Sequence, residues 1–122
     1  MTAVVVIAGA VAGAPLRYLT DLLVGSRHGS VFPWGTLIVN AAGSLIAGAV
    51  AGAVSRGAPG WLLTLAGTGF CGALTTFSTF GLETMRLAEE GSMLEAVLNI
   101  GASLLIGLVA CAGGWALAAA IA

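Results

Sequence analysis

The sequence has very little charge and no lysine. Its 122 residues include four arginines and five acidic residues, so charged residues make up only 7% of the chain. A soluble domain of this size needs a charged surface, which this composition cannot supply. There is also no basic cluster, which argues against nucleic acid as a partner and against a polybasic attachment to anionic lipid.

The sequence also lacks the residue clusters from which enzyme sites are built. It has one histidine and two cysteines, and no nucleophile with a base, metal-ligand set or cofactor motif is recognisable. Cys71 and Cys111 both lie in apolar segments, where they are typical of small packing residues rather than of a disulfide or a metal pair. We therefore expect a protein that is not an enzyme.

What the sequence has in abundance is apolar surface. Hydrophobic residues make up 59% of the chain, and its mean hydropathy is +1.09. A bilayer core about 30 Å thick needs about 20 apolar residues per helix. Four stretches satisfy this, near residues 3–24, 34–55, 61–89 and 94–121. The pattern predicts an all-α integral membrane protein, a single four-helix domain over residues 1–122.

The third stretch is unusual because it is polar and rich in glycine. Three glycines fall within residues 67–72, and four serines or threonines fall within residues 75–79. Glycine has low helix propensity, and hydroxyl side chains compete for backbone hydrogen bonds. We predict a break near residues 72–78, with carbonyl groups free to bind a small hard cation. The alternative is a tolerated kink without function.

Polar side chains recur at helical spacing in two other stretches. Thr36, Asn40 and Ser44 are four residues apart, as are Asn99 and Ser103. Polar groups at membrane depth normally face other helices or an aqueous path. A single serine can instead bond its own helix, so for Ser44 and Ser103 both readings stay open.

Phe77 and Phe80 are three residues apart, with Ser78 and Thr79 between them. Aromatic residues at this spacing commonly form ordinary packing contacts. Their positive ring edges, placed beside hydroxyl and amide donors, would also attract a dehydrated anion. The spacing does not choose between packing and an anion path.

Two charged residues near the helices, Arg17 and Glu83, have two interpretations each. Arg17 could pair with Asp21 one turn later on the same helix, or it could attract anions to an aqueous vestibule. Glu83 could be solvated, or it could lie at a pore mouth.

The arginines give little bias for membrane orientation. The loops carry one arginine on each side, Arg27 and Arg56. The side that is richer in arginine normally faces the cytoplasm, so an even count permits insertion in both orientations and hence an antiparallel homodimer. Ordinary insertion in a single orientation is the other reading.

Three sequence blocks resemble the Fluc/CrcB-type fluoride channel family. They are residues 9–18 (GAVAGAPLRY), 35–48 (GTLIVNAAGSLIAG) and 69–80 (GFCGALTTFSTF), and the likeness covers essentially the whole chain. The resemblance implies a dual-topology antiparallel homodimer in the cell inner or plasma membrane. Two pores per dimer would export fluoride passively and selectively down its electrochemical gradient, relieving fluoride toxicity. A structural sodium ion would sit at the dimer centre.

The resemblance also implies roles for individual residues. It assigns to the fluoride pore Asn40, Phe77, Ser78, Thr79, Phe80, Glu83 and Ser103. The backbone carbonyls of Gly72 and Thr75 would bind the sodium ion, and Arg17 would lie in the vestibule. Asn99 and Gly107 depart from the family pattern, because hydroxyl-bearing residues are expected there.

A proton-coupled transporter of the small multidrug type is the alternative function. Such transporters also use short four-helix subunits in antiparallel pairs. Proton coupling requires a membrane-buried carboxylate in the first helix. This chain has only Asp21, near the end of that helix.

Overall fold

A computed structural model describes residues 2–27 and 32–121. In chain order, the elements are α1 (Thr2–Arg27), α2 (Trp34–Ser55), a π-helical segment (Leu63–Cys71), α3 (Gly72–Leu74), α4 (Phe77–Glu89) and α5 (Met93–Ile121). No described residue lies in a β-strand. The predicted all-α fold class is confirmed.

Three helices are long and apolar enough to cross a bilayer within the described ranges. They comprise Thr2–Leu23 of α1, Trp34–Ser55 and Met93–Ile121. Most of their large apolar side chains face outward, including many leucines of α1 and α5. Because lipid rather than water must cover such surfaces, the chain is a multi-pass membrane protein.

The structure differs from the expected limit of the first helix. α1 continues to Arg27, three residues past the predicted end, because Gly25 and Ser26 weaken a helix without stopping it as proline does. Residues 61–89, for which the sequence predicts one span with a break near residues 72–78, contain three helical elements. A π-helical segment, the three-residue α3 and then α4 follow each other there.

The most extensive helix contact joins α2 and α5. A Cβ added to Gly48 would overlap the backbone of Cys111, and one added to Gly52 would lie 2.5 Å from the carbonyl oxygen of Trp115. Small residues at membrane helix contacts let two backbones approach closely. Gly48 and Gly52 therefore lie on the face of α2 that packs against α5.

α1 packs mainly against the π-helical segment, again through glycine. A Cβ on Gly9 would meet the carbonyl of Leu65 and the amide of Phe70, and one on Gly69 would lie 2.6 Å from the carbonyl oxygen of Val6. The backbones of α1 and the π-helical segment therefore lie directly against each other.

Two helices end in the same hydrogen-bonded turn. After α2, the Gly57 N–H donates to the Val54 carbonyl (3.1 Å) and the Ala58 N–H donates to the Ala53 carbonyl (3.1 Å). Gly57 has a φ of 110°, and Gly91, which follows α4, has a φ of 84°. These are Schellman motifs, in which glycine is favoured because the left-handed conformation strains other residues.

Candidate functional site

The helical path is interrupted between α3 and α4. Thr75 (φ −83°, ψ 160°) and Thr76 (φ −149°, ψ 125°) are extended. The Thr76 hydroxyl then caps α4, because its oxygen accepts a hydrogen bond from the Thr79 N–H at 3.1 Å. The interruption therefore consists of Thr75 and Thr76.

Asn40 of α2 binds the extended backbone with both ends of its amide. Its Oδ1 accepts from the Thr76 N–H at 2.8 Å, and its Nδ2 donates to the Thr76 carbonyl at 3.1 Å. An extended residue inside a membrane protein needs partners for both backbone groups, since unpaired groups are costly there. One side chain supplies both partners.

The carbonyls of Gly72 and Thr75 are among those that the break leaves without their usual helical donors. The donor expected for the Gly72 carbonyl is the Thr76 N–H, which binds Asn40 instead. The donor expected for the Thr75 carbonyl is the Thr79 N–H, which binds the Thr76 hydroxyl. In an unbroken helix both bonds would form between residues i and i+4. Gly72 is also exposed.

Thr75 is fixed to the preceding turn. Its N–H and its hydroxyl both donate to the Cys71 carbonyl, each at 2.8 Å. Its methyl group occupies the space that a Cβ on Gly43 would take. The glycine of α2 therefore allows the start of the break to lie directly against that helix.

A cleft of about 280 Å³ opens beside the break. α2, the break and α4 contribute Asn40, Ser44, Thr75, Thr76, Phe77 and Phe80. α5 contributes Ser103, Leu104 and Gly107. None of the described residues that line the cleft carries a charge, so its polar chemistry consists of hydroxyl, amide and backbone groups.

Two phenylalanine rings form one wall of the cleft. The ring centroids of Phe77 and Phe80 lie 5.9 Å apart, with an angle of 44° between the ring planes. Phe80 is half-buried, whereas 84% of the Phe77 surface is exposed. Within one chain, therefore, Phe80 contacts the Phe77 ring but most of that ring is uncovered.

A buried polar network lies between α4 and α5, next to the cleft. Asn99 of α5 is completely buried, and its Nδ2 donates to the Thr84 hydroxyl at 2.8 Å. Thr84 donates to the Phe80 carbonyl at 2.8 Å, and Ser103 donates to Asn99 Oδ1 at 3.4 Å. The network links α4 to α5 through two residues that do not line the cleft.

Further along α4, the Thr36 hydroxyl of α2 donates to Glu83 Oε1. Thr36 is buried and Glu83 half-buried. Arg17 of α1 is half-buried, and no ion pair joins it to Asp21 or to another residue within ranges 2–27 and 32–121. The carboxylate of Asp21 instead lies beside Gly35, in the first turn of α2.

Comparison with known proteins identifies the family. Residues 4–115 match the family described as "CrcB-like protein, Camphor Resistance (CrcB)". The chain belongs to the CrcB family. The match covers α1 through most of α5, and so includes every element of the cleft.

Relatives in this family are similar along nearly their whole length. A protein of Frankia casuarinae named fluoride-specific ion channel FluC 1 is 54% identical over 99% of this chain and 98% of its own. One of Streptomyces avermitilis with the same name is 53% identical over 94% of each chain. A FluC 2 protein of Natronomonas pharaonis is 46% identical over 99% of this chain and 97% of its own. These relatives bear the names of ion channels, and the family is not one of enzymes.

In this CrcB-family chain, the cleft brings together only some of the predicted pore residues. Asn40, Phe77, Phe80 and Ser103 line it. Three others do not: Ser78 is exposed, Thr79 is half-buried, and Glu83 contacts Thr36. Sequence reasoning assigned no role to Thr76 or Thr84. Thr76 carried a recognisable signal, since a threonine before an apolar helix is a common cap, whereas the partner of Thr84 lies fifteen residues away.

Proposed function

We propose that this chain is a passive, fluoride-selective channel that works as an antiparallel homodimer with two pores. The observation that carries the proposal is the uncharged cleft beside the helix break, in a chain whose relatives over nearly the full length are named fluoride-specific ion channels. In a cell with a negative interior, such a channel would export fluoride and so relieve its toxicity. No energy-coupling motif is needed.

The chemistry of the cleft suits a small, strongly hydrated anion. Asn40 has two amide protons and uses one on Thr76, so a second remains for an ion. Ser44 and Ser103 add hydroxyls, and the edges of Phe77 and Phe80 add weak positive potential. A conducting site must replace water and still release the ion, and several uncharged donors achieve both better than a lysine would.

The exposed surface of the break supports a dimer. Gly72, Phe77 and Ser78 are all exposed in the single chain. Irregular backbone at membrane depth is tolerated where protein covers it or where it lines an aqueous cavity. A second copy would cover this face and complete a cleft that one chain leaves open. The presence of one arginine near each of two loops, Arg27 and Arg56, is compatible with opposite insertion of the two copies.

A sodium ion fits the carbonyl groups that the break releases. The carbonyls of Gly72 and Thr75 have lost their helical donors, and carbonyl oxygens are suitable ligands for hard cations. Two carbonyls from each copy would surround an ion at the dimer centre, where its charge would hold the two broken helices together. The chain would then need its partner for a full set of ligands.

Two charged residues and two hydroxyl-bearing residues have supporting roles in the same proposal. Arg17 is half-buried and free of an ion pair with Asp21, so its charge would be available to attract anions at a vestibule. Thr79 and Ser78 would extend the polar path along α4. Glu83 accepts a hydrogen bond from the Thr36 hydroxyl and would lie near a pore end, where its negative charge would oppose a second anion.

No structural observation favours the proton-coupled multidrug transporter. Asp21 is the acidic residue of α1, and its side chain is exposed and near the first turn of α2. A coupling carboxylate would have to be enclosed within the substrate path.

Ion flux from liposomes tests the proposal directly. Purified protein in liposomes loaded with potassium fluoride should release fluoride rapidly once valinomycin balances the charge, while chloride-loaded liposomes should retain their ion. Protein-free liposomes serve as the control. Equal fluoride and chloride release would contradict selectivity, and no release from well-folded protein would contradict the channel itself. Cross-linking that detects only parallel copies would contradict the shared-pore arrangement.

A further inference from the structure

The hydrogen-bond chain behind the cleft connects two of its walls. It runs from Ser103 to Asn99, from Asn99 to Thr84, and from Thr84 to the Phe80 carbonyl. Its two ends line the cleft on different helices, Ser103 on α5 and Phe80 on α4. Asn99 itself has no exposed surface. Asn99, which does not line the cleft, therefore connects the α5 wall to the α4 wall through hydrogen bonds.

The direction of each bond determines which proton is available to an ion. A serine hydroxyl has one proton, and in this structure Ser103 directs it to Asn99 Oδ1 rather than into the cleft. The distance of 3.4 Å is long for such a bond, so the hydroxyl could turn its hydrogen bond to an anion at little cost. The Thr84 bond to Phe80 is much shorter, at 2.8 Å, and holds its proton more firmly.

We infer that Asn99 is a positioning residue for the ion path, which sets how strongly Ser103 binds an anion by competing for its hydroxyl proton. The inference rests on the proposed channel function. Through Thr84, Asn99 also ties Ser103 to the helix that carries Phe80. The competition weakens one donor in the path, and a weaker donor releases its ion more readily.

Asn99 could instead serve only to join α4 and α5. A purely structural tie would change the stability of the protein when removed, but it would not change the fluoride concentration at which flux is half-maximal in a manner that depends on Ser103. The half-saturating concentration is therefore the measurement that separates the two roles.

Asn99→Leu removes the competing oxygen and keeps the number and branching of the side-chain heavy atoms. The Thr84 bond to the Phe80 carbonyl can persist in this variant, because Asn99 is the donor to Thr84 and not its acceptor. With its proton freed, Ser103 should bind fluoride more tightly. Because the Ser103–Asn99 bond is long, the half-saturating concentration should fall by about twofold, less than the loss of an ordinary hydrogen bond would cause.

Initial rates of fluoride release should be measured over a range of loaded concentrations for wild type, Asn99→Leu, Ser103→Ala and the double variant. Ser103→Ala should raise the half-saturating concentration, and adding Asn99→Leu to it should then cause no further change. If Asn99→Leu does not yield a dimer, Asn99→Ala removes the same oxygen and is judged by the same criterion.

Two results would overturn the inference. One is an unchanged half-saturating concentration in a folded Asn99 variant. The other is an equal fall whether or not Ser103 is present. Both would leave the channel function intact, provided that wild-type protein releases fluoride in the same assay. The absence of wild-type release would instead reject the proposed function.

Discussion

The contact between α2 and α5 and the contact between α2 and the break use opposite means to bring backbones together. Along α5, the glycines of α2 remove side chains so that one backbone rests on another, as Gly48 does on Cys111. At the break, Asn40 adds a side chain that replaces lost backbone hydrogen bonds of Thr76. The contact between α2 and α5 forms because glycine has no side chain, whereas the contact at the break depends on the Oδ1 and Nδ2 atoms of Asn40.

This difference predicts different failures on substitution. Where two backbones touch, an added side chain cannot be accommodated, because neither helix has a flexible side chain there that could move aside. A polar contact can lose its partner while the helices stay packed, so that only the local geometry of the break changes. Glycine substitutions should therefore affect assembly of the fold, and substitutions at the break should affect ion flux first.

The largest effect should come from Gly48→Ala. Its Cβ would overlap the backbone of Cys111, which lies in the middle of a helix. Overpacking of this kind costs about 1–3 kcal/mol or more, and we expect little monodisperse protein in size-exclusion chromatography. Gly113→Ala is the matched control, because a Cβ there meets nothing within 4 Å. Normal yield of Gly48→Ala would show that the two helices can separate at small cost.

The next largest effect should come from Asn40→Leu. The variant leaves the Thr76 N–H and carbonyl unpaired, at about 1–3 kcal/mol for each group, and also removes a donor from the cleft. Fluoride release should fall by at least about tenfold, the equivalent of 1.4 kcal/mol. Ser55→Ala is the control, since the Ser55 hydroxyl bonds only its own helix, at the Gly52 carbonyl. Unchanged flux in folded Asn40→Leu dimers would remove Asn40 from the ion path.

The contrast between the two contacts was partly visible in the sequence. The stripe of Thr36, Asn40 and Ser44 could be predicted because helical periodicity alone places them on one face. Gly72 and Thr75 could be placed near a break because local propensity is low there. Both are properties of neighbouring residues, and the same reasoning predicted the apolar spans.

What the sequence could not supply were the partners of those residues. Asn40 binds Thr76 across 36 positions, and Asn99 of α5 binds Thr84 of α4 across 15 positions. Such pairs are determined by how the helices pack and not by local propensity. The π-helical segment escaped prediction for a related reason: glycine content indicates a weak helix without indicating its hydrogen-bond spacing.

A smaller effect on stability, but a clear effect on flux, should follow from Phe77→Ala. Phe77 is 84% exposed in one chain, so truncation creates almost no cavity within it. If the ring forms a pore wall in a dimer, fluoride release should fall by about tenfold, because 1.4 kcal/mol of lost interaction corresponds to that factor. Leu108→Ala, at a position that is 70% exposed, is the matched control and should retain wild-type flux. Equal flux in both variants would identify Phe77 as a lipid-facing residue.

The smallest effect should come from Thr76→Ala, which separates the capping of α4 from the passage of ions. Asn40 binds only the backbone of Thr76, so its two hydrogen bonds do not need the threonine side chain. The variant therefore loses the cap on α4, the bond from the Thr79 N–H to the hydroxyl, and a long contact of 3.5 Å with the Ser78 hydroxyl. A lost cap costs about 1 kcal/mol, and thermal unfolding should shift down accordingly while flux stays near the wild-type level. Thr76→Ser keeps the hydroxyl and should restore the unfolding temperature. A collapse of flux in Thr76→Ala would mean that the hydroxyl belongs to the ion path, and that the cap and the path cannot be separated at this residue.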